Sequence, residues 1–151
     1  MSKEQSCRLA SRFHSHVESR LRLWASHPLI ATLTLATAGV WFLFGIWFKV
    51  LGMVPRHRSI VAAILGEAAA GPAVVLIGAA ETAIAFWILS GIYPRLCAVV
   101  QSIVIATMNT LELSFAHDLL LAPTLMVAAN VLFLIIVWLC AFKIPTTRSV
   151  T

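Results

Sequence analysis

Glu81 is the residue whose chemistry fits its neighbours least, standing among Val74, Val75, Leu76, Ile77, Ile84, Phe86, Trp87 and Ile88. A carboxylate in such a run is costly unless it is protonated, paired or beside water, so an ionisable group there points first to a functional site. Lys49 and Glu112 pose the same question near the ends of their own apolar runs, Asn109 places an amide in the run of Glu112, and Asn130 another in the last run. Together these five residues could handle a proton or bind the polar part of a small molecule. The two amides could equally hold helices together, since polar side chains in membrane helices bond to one another at about 1 kcal/mol each. Arg56, His57 and Arg58 form a basic cluster suited to an anion or a lipid headgroup. Trp41, Phe42, Phe44, Trp47 and Phe48 could stack on a flat ring such as a quinone head, or simply seal a membrane interface.

The elements that must carry these residues follow from composition. The chain has 151 residues, of which 60% are hydrophobic and 11% charged, with a mean hydropathy of +0.94. Those values describe a membrane protein whose partner is the lipid bilayer. The formal net charge of +5 gathers at the ends of apolar runs, which suits headgroup contact and topology and argues against nucleic acid. Cys7, Cys97 and Cys140 form no Cys-x-x-Cys pair, and no residues have metal-ligand spacing. A dithiol site and a metal are therefore not expected.

Residues 1–28 read as a basic cytoplasmic segment, with Leu9, Phe13, Val17, Leu21 and Trp24 at the spacing of an amphipathic helix. Residues 29–142 read as a domain of four membrane spans, at about 29–54, 73–92, 95–113 and 119–142, and residues 143–151 as a cytoplasmic tail. Ala36-Thr37-Ala38 has the form of a signal-peptide cleavage site, but the apolar run continues through Trp41 to Phe48 instead of turning polar. Between the first two spans a loop and a short helix are expected, capped by Ser59 and stopped by Gly71-Pro72, lying at the interface or dipping into the bundle. The short Gly91–Arg95 connection makes the spans it joins antiparallel neighbours. The fold class expected is an all-α integral membrane antiparallel four-helix bundle. An even number of crossings puts both termini on one side. Eight Lys or Arg fall there against Arg56 and Arg58 opposite, so that side is expected to be the cytoplasm, across an inner membrane.

At 1.5 Å per residue, Glu81 lies roughly 17 Å from the end of its span nearer the termini, Asn109 roughly 21 Å and Asn130 roughly 18 Å. These three share a layer. Lys49 and Glu112 fall at roughly 30 Å and 26 Å, forming an outer layer.

The order and spacing of several motifs resemble the DoxX or DoxX-like family of small four-helix membrane proteins. The resemblance covers roughly residues 38–142. It rests on Gly45 through Lys49 to Pro55, on Gly78-x-x-Glu81 with Leu89-x-Gly91 and Pro94-Arg95, and on Asn109-x-x-Glu112 with the Leu-rich Pro123 segment. It implies a bacterial-type inner-membrane bundle. Some members are associated with thiosulfate:quinone oxidoreductase or with membrane oxidoreductase complexes, which implies a redox partner for this chain. The sequence carries no Cys pair and no haem or iron-sulfur ligand set, so a catalytic motif of its own is missing.

Three functions remain open on these grounds. One is a subunit that binds a quinone or another small lipophilic molecule and serves an oxidoreductase. A second is a non-catalytic scaffold or assembly protein in which Glu81 only holds the bundle. The third is a small transporter or channel, which would need a homo-oligomer because four short helices enclose little volume.

Overall fold

The computed structural model describes residue 18, residues 24–120 and residues 122–143. The expected basic helix within residues 1–28 and the tail 143–151 fall largely outside the described residues. Five α-helices make up most of what is described: α1 (Pro28–Phe42), α2 (Pro55–Leu65), α3 (Glu67–Ser90), α4 (Pro94–Phe115) and α5 (Pro123–Lys143). Among the described residues there is no strand. Four of the five helices begin on a proline, where the missing N–H costs nothing and the fixed φ already matches a helix. The exception, α3, follows Gly66 at φ 85° and sets Glu67 against the positive end of its dipole.

From Leu43 to Val50 the first helix widens into a π-helix, and the Leu51 N–H reaches back five residues to the Ile46 carbonyl at 2.9 Å. Counted through this segment, the first span is Pro28–Val50, and α3, α4 and α5 supply the others, each 21 to 24 residues long. Helices of that length and apolarity cross a hydrocarbon core of about 30 Å. Their outward faces are apolar, with Leu76 at 72% and Leu125 at 70% exposure, as lipid contact requires. The molecule is an integral membrane bundle.

Two expected boundaries are corrected. The span expected to begin at 73 begins at Glu67, and Gly71-Pro72 lies inside α3 instead of ending the preceding helix. Pro72, the sixth residue of α3, forgoes the bond to the Ala68 carbonyl, while Gly71 has no Cβ to meet the proline ring. The short intervening helix does form, but it starts at Pro55, so Ser59 lies within it and does not cap it.

Partners across the bundle are antiparallel. Phe42 meets Phe86 while Lys49 meets Glu81, so α1 and α3 run in opposite directions. Arg95 lies over the Phe142 ring while Asn109 meets Asn130, which fixes α4 against α5. A central core of Trp41, Ile84, Ala85 and Ile105, packed by Phe133, joins all four spans. The turn between α3 and α4 is built by Gly91 at φ 63° and by Trp87, whose Nε1 donates to the Ile92 carbonyl at 2.7 Å.

Candidate functional site

One glycine contact sets the site. A Cβ on Gly45 would lie 2.6 Å from the Gly78 carbonyl oxygen and from Thr82 Oγ1, and a Cβ on Gly78 would lie 2.6 Å from the Gly45 carbonyl oxygen. The backbones of the π-helical segment and α3 therefore touch at a point where neither tolerates a side chain. Because the two segments run antiparallel, Lys49, four residues past Gly45, and Glu81, three past Gly78, lie on opposite sides of the contact along the axis, and the lysine, whose Cβ is 3.0 Å from where a Cβ on Gly78 would lie, reaches back along it. Lys49 Nζ donates to Glu81 Oε1 in a buried ion pair.

This pairing departs from the simple count of heights, which put Lys49 in a layer above Glu81. The π-helix has more residues per turn and a shorter rise than an α-helix, which lowers Lys49, and the flexible lysine stem covers the rest. Asn109 and Asn130 do share a depth, and Asn130 Nδ2 donates to Asn109 Oδ1 at 2.7 Å.

These residues surround a cavity of about 490 Å³ at the end of the bundle away from both termini, beneath α2. Glu81, Lys49, Asn109, Asn130, Glu112, Arg56 and His57 all line it, with Trp41, Phe44 and Phe133 among its apolar walls. Arg58 is not among them. It turns outward to Glu67 at 2.9 Å in an exposed pair, an arrangement that contributes little stability. The aromatic cluster divides: Trp41 and Phe44 face the cavity, while Phe42 and Trp47 are exposed on the outer surface. Phe48 stacks on the His57 ring with centroids 5.9 Å apart.

Three buried polar atoms at this cavity have no partner at hydrogen-bonding geometry: Glu81 Oε2, Arg56 Nε and His57 Nδ1. Among the described residues neither Arg56 nor Glu112 forms a salt bridge. The lining thus offers two carboxylates, two cations and a histidine, a charge-balanced set suited to a neutral or dipolar molecule. Burial holds the His57 pKa below its usual 6.5, Lys49 and Arg56 push the same way, and the Val54 carbonyl opposes them. The neutral imidazole is thereby favoured over the charged one relative to a free histidine. Among the described residues no group of three or more His, Cys, Asp and Glu is placed to hold a metal ion. The groups available to hold a ligand are hydrogen-bonding ones.

Gln101 was not singled out by sequence, yet it is buried in α4, where its Oε1 accepts from Trp41 Nε1 at 2.8 Å. The same signal that marks Asn109, an amide in an apolar run, marks Gln101. Its bond fixes the indole against the cavity wall.

The model of the DoxX-like family matches residues 38–138, a stretch that contains the glycine contact, the ion pair and the amide pair. The chain belongs to the DoxX-like family. No curated protein and no solved structure matches it significantly. The matched stretch starts at Ala38, in the middle of α1, and ends at Trp138, near the end of α5. It therefore takes in every cavity-lining residue of this DoxX-like chain.

Proposed function

We propose that this DoxX-like protein is a membrane subunit that binds a small lipophilic molecule with a flat, oxygen-bearing head of the quinone type, and serves a redox partner in the same membrane. The observation that carries this reading is Glu81 Oε2, buried and unpartnered, in the wall of a cavity of about 490 Å³. That volume lies within the range of small-molecule sites, which are mostly apolar with a few convergent polar groups. A ring could lie beside Trp41 and Phe44. Its hydroxyl would donate to Glu81 Oε2, and a carbonyl would accept from Arg56 Nε. The electron-transfer chemistry would belong to the partner, and the cytoplasmic placement of both termini and any homo-oligomer are part of the same proposal.

The experiment is binding of a tailless 1,4-benzoquinol, kept reduced so that its hydroxyls are present, to the pure protein in lipid nanodiscs, followed by quenching of tryptophan fluorescence. Saturable quenching that weakens about tenfold or more in Glu81→Gln supports the reading, given the cost of losing a hydrogen bond to a charged group. Absence of saturable binding, or an unchanged affinity in Glu81→Gln, defeats it.

A scaffold function draws on a different observation, the bond from Lys49 to Glu81 Oε1. On that reading Glu81→Gln lowers stability while no ring compound binds and native-membrane extracts of the protein carry no bound small molecule.

A further inference from the structure

A second hollow, of about 270 Å³, adjoins the first and is lined by Arg56, Leu120, Ala122, Leu125, Met126 and Ala129. Four of these residues, Arg56, Leu120, Met126 and Ala129, line both spaces, so the second is a side branch of the first. It runs between the start of α2 and the first two turns of α5. On α5 the residues 125, 126 and 129 fall at the spacing of one helix face, and Ala122 immediately precedes the helix. Ala122 and Ala129 leave that face shallow, and Leu125, at 70% exposure, opens it to the lipid side. Every lining group except Arg56 is apolar. Arg56 stands at the junction, its Nε buried and unpartnered.

We infer that this branch is a lateral portal: the ligand enters the cavity from the bilayer between α2 and α5, and is an amphiphile whose apolar chain stays in the branch. The inference rests on the reading of the main cavity as a ligand site, and it names the chemical class of that ligand as a ring head with a prenyl or alkyl tail. An apolar channel that meets lipid at one end and Glu81, Lys49 and Arg56 at the other fits a molecule divided in the same way. A water-soluble metabolite would gain nothing from a chain-wide apolar groove. The tail is no more apolar in the groove than in lipid, so the groove's contribution is fit. A chain held there needs room, and filling the room excludes tailed ligands selectively.

The test compares two probes on the full chain in nanodiscs, a tailless 1,4-benzoquinol, kept reduced, and the same ring carrying a decyl chain. The variants are Ala122→Phe and Leu125→Trp, which change residues of the branch that do not line the main cavity. In both, affinity for the decyl probe is expected to fall about tenfold or more, the penalty for overfilling a packed space. Affinity for the tailless ring should move less than about twofold. As a measurement independent of any variant, a decyl probe with a terminal diazirine should label the wild-type peptide containing Leu125 and Met126 on illumination. If the tailless ring binds and both variants bind the decyl probe as the wild type does, or labelling is spread over all lipid-facing helices, the portal is refuted while the cavity reading stands. If neither probe binds the wild type, both fall.

Discussion

Replacing Lys49 with methionine removes the partner of Glu81 Oε1 while keeping most of the volume of the lysine stem. Lys49 is 7% exposed and Glu81 3%, so the carboxylate is left inside the bundle with both oxygens unpartnered, since Oε2 has no partner to begin with. Stranding one member of a buried ion pair costs about 3–5 kcal/mol. Glu81→Gln, which strands the ammonium instead, should cost a similar amount. In the double variant Lys49→Met/Glu81→Gln neither charge is left, and replacing a buried pair by neutral groups is often close to neutral. Its loss should therefore be about 1–2 kcal/mol, far below the sum of the single losses, giving a coupling energy of roughly 4 kcal/mol or more. Neutral hydrogen bonds between membrane helices average about 0.6 kcal/mol in such cycles, so the size separates an ion pair from ordinary interhelical glue. The measurement is reversible unfolding in mixed micelles by circular dichroism. Losses that simply add, within about 0.5 kcal/mol, would refute the claim that these two residues act as a pair.

Gly45→Ala should lower stability by about 1–3 kcal/mol, because the new methyl meets the Gly78 carbonyl and the Thr82 backbone; a thermal melt equal to wild type would sink the close-contact argument. Stability should depend on His57: its pKa is lowered on folding, so the unfolded chain binds the proton more readily. The stabilising contribution is complete above the ordinary value of 6.5 and is lost as pH falls below it toward the folded pKa. A pH series of melts on wild type and His57→Phe should show that loss in the first and a flatter profile in the second. Gln101→Leu removes the acceptor of Trp41 Nε1 and should cost about 1–3 kcal/mol, with a shifted tryptophan emission reporting the freed indole.

The four spans were legible because twenty-residue apolar runs admit few other structures, but their closest pairings, α1 with α3 and α4 with α5, did not follow from the short Gly91–Arg95 turn, which joins α3 to α4. Glu81, Asn109 and Asn130 were legible as candidates from their rarity in such runs, and the structure brings them to one cavity with Lys49, Glu112, Arg56 and His57. The pairing of Lys49 with Glu81 was not legible as a height, because nothing in Leu43–Val50 announces a π-helix and a count at the α-helical rise places Lys49 too far out. Gly71-Pro72 misled for a related reason. The pair reads as a stop in water, but α3 continues through it, forgoing one backbone bond, and the glycine beside the proline relieves the clash. Arg56 and Arg58 are nearly adjacent in sequence, yet one faces the cavity and the other Glu67; only the position of α2 decides between them.

The contact between Gly45 and Gly78 also bears on how the protein is made. A charged group near the middle of a span, as Glu81 is, costs about 2.5–3.5 kcal/mol to insert by itself, and its partner Lys49 is carried by the preceding span. During insertion the first span would carry an unneutralised cation close to its trailing end until α3 follows with the anion. Because glycine lets the two backbones touch, the charges can meet as soon as both helices are present, before α4 and α5 are synthesised. The first two spans would then enter lipid with this ion pair already made, and the cavity would be enclosed only when α4 and α5 close against them.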